Sequence, residues 1–229
     1  MTSDIQSGQI EWLGKCIINP FTSKGELIDL IKYPGLKAYF SAQENLLRKR
    51  HVAQKNPRAW YRTIDKIYET LTYQPKLLIP DIKDRPHVVY DSGHYYPHHN
   101  LYVVTSTTWD LQASQTVLQS SITMLFVTAY SVKMRGGYLR FQAQNLRRLR
   151  LPQWVNVPSS LQEQLRNAEN YEEINKAVFE LYGLSPDEQS MLLDVVPINE
   201  SKEQCMMLLP SCFHLRTRDC KVPTQNSVR

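Results

Sequence analysis

Apolar and polar positions change their spacing several times along the chain, and each change marks a different kind of element. Residues 76–79, 87–90 and 101–105 are short runs rich in β-branched, aliphatic and aromatic side chains, bounded by Pro80, Asp84, Pro86, Asp91, Gly93 and Pro97. This pattern predicts three strands separated by turns, hence an antiparallel sheet. Downstream, Leu111, Leu118, Ile122, Leu125, Phe126 and Ala129 fall on one helical face, with Thr108 and Asp110 as capping groups. One helix is therefore expected to cover the sheet. Gly136-Gly137 then breaks that helix, and residues 138–142 alternate as a strand, with Tyr138, Arg140 and Gln142 on one face and Leu139 and Phe141 on the other.

Before the strands the pattern is more broken. Pro20, Gly25, Pro34 and Gly35 punctuate residues 1–42 into short pieces, which predicts a partly structured entry segment. Residues 44–50 read as a basic helix. Asn56-Pro57 then offers an N-cap followed by an N1 proline, and Trp60, Ile64, Ile67, Tyr68 and Leu71 recur at helical spacing, predicting a second short helix. Beyond residue 142, a helical turn through 145–149 leads to Pro152. Residues 161–165, 174–182 and 189–195 show helical spacing, the last opened by Ser185-Pro186-Asp187-Glu188 as N-cap, N1 proline and acidic first turn. Residues 211–229 are polar and without period, and the chain from 206 to 229 is expected to be disordered. The fold class expected is α+β: a small antiparallel or mixed sheet with covering helices, followed by a helical C-terminal segment.

Charge adds direction to this outline. The 229 residues suffice for one sizeable core, and the formal net charge of +5, with a pI near 8.9, is moderate but unevenly spread. Arg48, Lys49, Arg50, Lys55, Arg58, Arg62 and Lys66 face the single acid Asp65; Lys133, Arg135, Arg140, Arg147, Arg148 and Arg150 face none. From residue 163 to 203 the sign reverses, which sets residues 158–205 apart as an acidic helical segment. Lysine and arginine neutralise phosphates and release counterions, so two acid-poor runs around one small sheet point to a polyanionic partner. A solvated basic surface is the alternative, and Trp60, inside the first run, is assigned to packing.

Other chemistry narrows the classes. Cys16, Cys205, Cys212 and Cys220 lack close-paired spacing, which fits a reducing cytoplasm. The most apolar window, residues 122–130, is too short to span a bilayer, so no membrane partner is expected. His94, His98 and His99 form a cluster that superficially matches a metal-dependent nuclease, but Pro97 interrupts it and Asp91 is the sole neighbouring carboxylate. A polar hairpin connection is the expectation there. No Gly-rich phosphate cradle, Walker lysine, nucleophile elbow or paired-carboxylate motif is present, so no catalytic residues and no metal ligands are assigned.

Taken in order, Tyr33-Pro34-Gly35-Leu36-Lys37-Ala38-Tyr39-Phe40, residues 48–51, Arg58-Ala59-Trp60-Tyr61, Pro75-Lys76-Leu77-Leu78-Ile79-Pro80 and residues 136–152 resemble the C-terminal target-recognition domain of TaqI-like and Eco57I-like adenine-N6 DNA methyltransferases. Phe179-Glu180-Leu181-Tyr182-Gly183-Leu184 follows in a helical context. In that family a separate domain binds S-adenosylmethionine and holds an Asn-Pro-Pro-Tyr motif that accepts a flipped adenine. Here Asn19-Pro20-Phe21-Thr22 and Asn56-Pro57-Arg58-Ala59 share only the Asn-Pro pair.

The resemblance implies that residues 43–157 are a double-stranded DNA recognition domain, with the cofactor and methyl transfer on a separate catalytic domain or a separately encoded methyltransferase subunit. It further implies Arg135, Tyr138, Arg140 and Gln142 near the DNA, and Arg48, Lys49, Arg50, Lys55, Arg58 and Arg62 along its backbone, with Lys133, Arg147 and Arg148 among the DNA-binding set; which of them touches a base edge is not assigned. Two other functions remain open: a remnant or decoy that binds a methyltransferase or restriction partner, and the histidine-dependent nuclease.

Overall fold

The computed structural model describes residues 2–6, 8–83, 87–131 and 139–196. In chain order the elements are strands β1 (Ile5–Gln6) and β2 (Gln9–Ile10), helices α1 (Pro34–Ala42), α2 (Glu44–Arg48), α3 (His51–Lys55) and α4 (Thr70–Tyr73), and strands β3 (Lys76–Pro80), β4 (Ile82–Lys83), β5 (Val89–Asp91) and β6 (Leu101–Val104). Then come α5 (Leu111–Gln119), α6 (Ser121–Tyr130), β7 (Leu139–Arg140), α7 (Ala143–Leu146), α8 (Ser159–Asn167), α9 (Tyr171–Tyr182) and α10 (Pro186–Val195). Contacts divide the chain into two compact units. Met1–Trp12, Pro75–Gly93 and Pro97–Arg229 make the sheet unit; Leu13–Gln74 and His94–Tyr96 make the basic unit.

The sheet unit is organised around β3, which lies between β5 and β6 and runs antiparallel to both. Leu77 and Ile79 pack with Val88, Val127 and Phe141. Leu78 packs with Ile5, Val89 and Leu101 in a separate cluster, where Ile10 of the N-terminal hairpin also sits. Burial on both faces explains why residues 77–80 read as a continuous apolar run and not as an alternation. Each such Leu or Ile contributes about 1.5–3 kcal/mol relative to an exposed position. Lys76 and Asp91 are cross-strand partners whose side chains are 0% and 1% exposed, with Nζ 2.6 Å from Oδ2. Asp91 Oδ1 also accepts the Gly93 N–H at 3.1 Å.

The covering helices differ from the sequence expectation in one respect. A single helix over the sheet is replaced by α5 and α6, because Ser120 is extended and its hydroxyl caps the Thr123 N–H, starting a new helix. Gln115 and Gln119 of α5 donate to the same carbonyl, that of Val88, at 2.9 and 3.0 Å, tying the helix to the edge of β5. On its other side α5 shares a core with the C-terminal helices: Ala113, Val117 and Ile122 pack with Leu161, Leu165, Val178 and Leu192. Buried polar bonds fix the same contact. Thr116 donates to the Leu165 carbonyl at 2.6 Å, and Asn175 Oδ1 accepts the Ser121 N–H at 2.9 Å.

The α+β class and the three strands match the sequence, as do the C-terminal helices and the capping box of α10, in which Ser185 and Glu188 bond reciprocally. Several local expectations change. The histidine segment is not a hairpin turn, because β5 and β6 both pair with β3 and not with each other. Of the strand expected at 138–142, the described residues show Leu139–Arg140 paired with β4, and Gln142 stands at the N-cap position of α7 instead of extending the strand. The nine-residue α1, with Pro34 at its first turn, stands where only short pieces were expected. No helix runs through Ile64, since residues 57–59 form a single 3-10 turn and Ile64 is 77% exposed. The reason lies in Arg50, which takes the carbonyls of Trp60 and Arg62 that a helix would use internally. Gly136-Gly137 and the expected tail, with Cys205, Cys212 and Cys220, lie outside the described residues; Cys16 is a free, exposed thiol. No described helix is long and apolar enough to cross a membrane.

Two stability tests follow from these contacts. Replacing Asp91 with alanine takes the carboxylate away from a fully buried ammonium and is expected to cost about 3–5 kcal/mol in denaturant unfolding, whereas replacing Lys76 and Asp91 together with Met and Leu recovers most of the loss. At the start of α5, burial pushes the Asp110 carboxyl up, but bonds from the Ala113 N–H and from Arg166 outweigh it and hold the group below its ordinary value. A carboxylate lowered in the folded state contributes stability that is complete above its unfolded value, about 3.9, and is lost as pH falls through the folded value. Asp110→Ala should therefore cost about 1 kcal/mol at neutral pH, a difference that shrinks on acidification below about pH 4.

Candidate nucleic-acid interface

Within the basic unit a small aromatic core sets where the cations stand. Phe40, Ala53 and Trp60 are buried, with Leu30, Leu36, Leu47 and Tyr61 against them. Trp60 meets Tyr61 edge-on, with ring centroids 5.7 Å apart, so the ring packs as the sequence suggests. Tyr61 donates to the Ile28 carbonyl at 2.6 Å, and its phenol is pushed up by burial and by the charge of Asp29. It is a donor throughout the physiological range.

The six cations assigned to this unit divide sharply by what they touch. Arg48 pairs with Glu44 at 2.7 Å, donates to the Pro57 carbonyl at 3.1 Å and lies 5.0 Å from the centre of the Trp60 ring. Arg50 donates to the carbonyls of Leu47, Trp60 and Arg62 at 2.9–3.1 Å. Arg62 reaches the Thr63 carbonyl at 3.4 Å. Arg48 and Arg50 brace the chain between α2 and residue 62, with Arg62 contributing a carbonyl that Arg50 takes. Lys49, Lys55 and Arg58 are exposed, and their side chains have no hydrogen bond or ion pair among the described residues. Lys24, Lys32 and Lys37, which the sequence reading did not single out, are exposed in the same unit. Over its span the basic unit holds eleven lysines and arginines against five acids, more than the whole net charge of the chain.

In the sheet unit, β4 and β7 put Arg140 opposite Ile82, next to Asp81. Arg140 Nη2 lies 2.7 Å from Asp81 Oδ2, while Tyr102 donates its hydroxyl to Asp81 Oδ1 at 3.3 Å. Hydrogen bonding and attraction from Asp81 raise the Arg140 guanidinium further above its ordinary value; burial, then the Asp81 charge, raise the Tyr102 phenol. Asp81 and Tyr102 went unremarked in the sequence because no local spacing links an aspartate to an arginine 59 positions away. Gln142 is half-buried and accepts from Gln144 at 2.9 Å. Arg147 is exposed, and Arg148 lies 4.3 Å from the centre of the Tyr130 ring. Lys133, Arg135 and Tyr138 lie outside the described residues.

Among the described residues, neither Asn-Pro pair nor any glycine turn fits S-adenosylmethionine. Asn19 Oδ1 already accepts the Phe21 N–H at 3.0 Å, and Asn56-Pro57 only opens a 3-10 turn. Among the described glycines none joins a strand directly to a helix, the geometry that a glycine-rich cofactor turn requires. Nor do three His, Cys, Asp or Glu side chains come together to hold a metal ion among the described residues. His98 and His99 stack with centroids 4.0 Å apart, and the nuclease alternative finds no ligand set there.

The aromatic core of the basic unit, the three-stranded sheet and the separate β4–β7 pair that carries Arg140 all fall within the span of one family model. The chain belongs to the family of the TaqI-like C-terminal specificity domain, which it matches over residues 23–151. Among curated relatives it is 50% identical over 197 residues to the Type II methyltransferase M.XhoI of Xanthomonas vasicola, a match covering 85% of this chain and 36% of that protein. It is 52% identical over 194 residues to the Type II methyltransferase M.PaeR7I of Pseudomonas aeruginosa, covering 83% of this chain and 34% of the relative. For the Type II methyltransferase M.BstVI of Geobacillus stearothermophilus the identity is 44% over 198 residues, 85% of this chain and 35% of the relative. The chain thus spans about a third of the length of these relatives.

The division of the cations is testable without any ligand. Arg50→Ala leaves partly buried carbonyls unpaired and should cost about 1–3 kcal/mol in denaturant unfolding, while Lys49→Ala, one position away, should stay within about 0.5 kcal/mol of the parent.

Proposed function

We propose that this chain binds double-stranded DNA sequence-specifically, as the specificity part of an adenine-N6 methyltransferase of a restriction-modification system. The observation that carries the reading is the trio Lys49, Lys55 and Arg58, exposed and uncommitted inside the span of a specificity domain. Ammonium and guanidinium groups without protein partners release counterions when they meet phosphates, and such contacts fix register without reading sequence. Arg147 and Arg148 of the sheet unit extend the phosphate-binding set; Arg140, Gln142, Arg135 and Tyr138 belong to the part that reads bases, and Lys133 joins the cations.

Methyl transfer is assigned to a catalytic domain or a separately encoded methyltransferase subunit, and S-adenosylmethionine belongs there. Two things support that division: the three relatives are named methyltransferases and are about three times the matched length, and among the described residues none makes a fitting cofactor turn. When bound on such a partner, the cofactor supplies the methyl group, and this chain holds and selects the duplex.

Duplex affinity measured against salt tests the reading. Each phosphate contact contributes about 0.9 to the slope of log affinity against log salt, so Lys49→Gln, Lys55→Gln and Arg58→Gln should each lower that slope by about one and weaken all duplexes alike. An affinity that stays level between about 50 and 200 mM salt overturns it.

A further inference from the structure

Arg140 is held at both its main chain and its guanidinium. Its backbone carbonyl accepts the Ser131 hydroxyl at 2.7 Å, and Asn145 donates to that hydroxyl at 2.8 Å, so the main chain at this position is held by a group that is itself fixed. Its guanidinium is fixed by Asp81, whose own position is set by Tyr102 and by the Phe141 N–H, which donates to the Asp81 carbonyl at 2.8 Å. Nevertheless the Arg140 side chain remains 41% exposed. Nε is buried without a partner, and Asp81 takes one Nη2 hydrogen, so the accessible edge is the fork formed by Nη1 and Nη2.

We infer that Arg140 is a specificity-determining residue that reads the O6 and N7 edge of a guanine in the major groove, with Asp81 as its positioning residue. The inference rests on the DNA-recognition reading above and goes beyond it in naming the base and the side chain. Two parallel N–H donors on a planar fork match the two acceptors of guanine. A phosphate offers the same acceptor geometry, but the Asp81 carboxylate argues against it. The carboxylate cancels the charge of Arg140, so little net attraction for an anion remains, while directed hydrogen bonding to a neutral base edge survives intact. A residue meant for phosphate gains from being free and cationic, as Lys49 and Lys55 are; one meant for a base gains from being immobilised.

The test selects bound duplexes from a random library with the full chain, with Arg140→Lys, which keeps charge but loses the fork, and with Asp81→Asn, which keeps shape but loses the ion pair. The parent should select a motif holding a G·C pair at which Arg140→Lys loses about 10- to 100-fold of discrimination, the other positions keeping theirs. Asp81→Asn should relax the same position while its affinity for unrelated duplex stays level or rises. Replacing that guanine by 7-deazaguanine, which lacks the N7 acceptor, should weaken the parent and leave Arg140→Lys unchanged.

A motif unaltered by both variants overturns the assignment, as does an Arg140→Lys chain that weakens every duplex alike with a shallower salt slope, the mark of a phosphate contact. Should Arg140→Lys not fold, a parent indifferent to 7-deazaguanine at every guanine of its motif overturns it equally. A parent that selects no motif overturns the specificity reading itself, which separates the two failures.

Discussion

The fold of the sheet unit depends on a buried cross-strand ion pair. β3 is apolar toward both faces, so a slip of one residue against β5 would exchange Leu77 and Ile79 for Leu78 with small hydrophobic loss. Lys76 and Asp91 remove that freedom. A lysine and a carboxylate without solvent are best tolerated opposite each other, and another register separates these two buried charges. The pair thus contributes selection among registers more than net stability. Its effect reaches the far end of the strand, because the register of β3 also decides where Asp81, one residue past Pro80, meets β7 and Arg140.

A second layer of constraint comes from polar bonds inside the helical layer. Thr116, Ser121 and Asn175 are buried, yet each is satisfied across α5, α6, α8 and α9, which fixes how those helices face one another. The buried Trp109 donates to the Pro152 carbonyl at 2.8 Å and meets the Trp154 ring at a tilt, and Arg166 lies over Trp154 before reaching Asp110. The acidic helices α8–α10 are consequently packed into the same core as the helices that cover the sheet.

Much of this was legible in the sequence where a short-range rule applies. Strand positions followed from β-branched runs between turn residues, and the last helix followed from Ser185-Pro186 and its acidic first turn. Where long-range bonds override local preference, the reading failed. Helical spacing at Trp60, Ile64 and Ile67 was real, but Arg50 captures the carbonyls that such a helix needs. Ser120-Ser121 carried a readable capping signal that the apolar face of the surrounding residues masked. The candidate interface was legible as charge and illegible as geometry. Composition could not tell Lys49 from Arg50, nor show that Arg140 belongs with an aspartate in a different part of the chain.

The brace formed by Arg48 and Arg50 bears on how such a unit changes over generations. Because these arginines bond to backbone carbonyls, the shape they maintain is indifferent to the identity of most neighbouring side chains. Lys49, Lys55 and Arg58 sit within the braced stretch but outside these bonds. Substitutions can therefore accumulate at the outward positions without remodelling the scaffold beneath, so descendants of one fold can diverge in surface preference while inheriting the same frame.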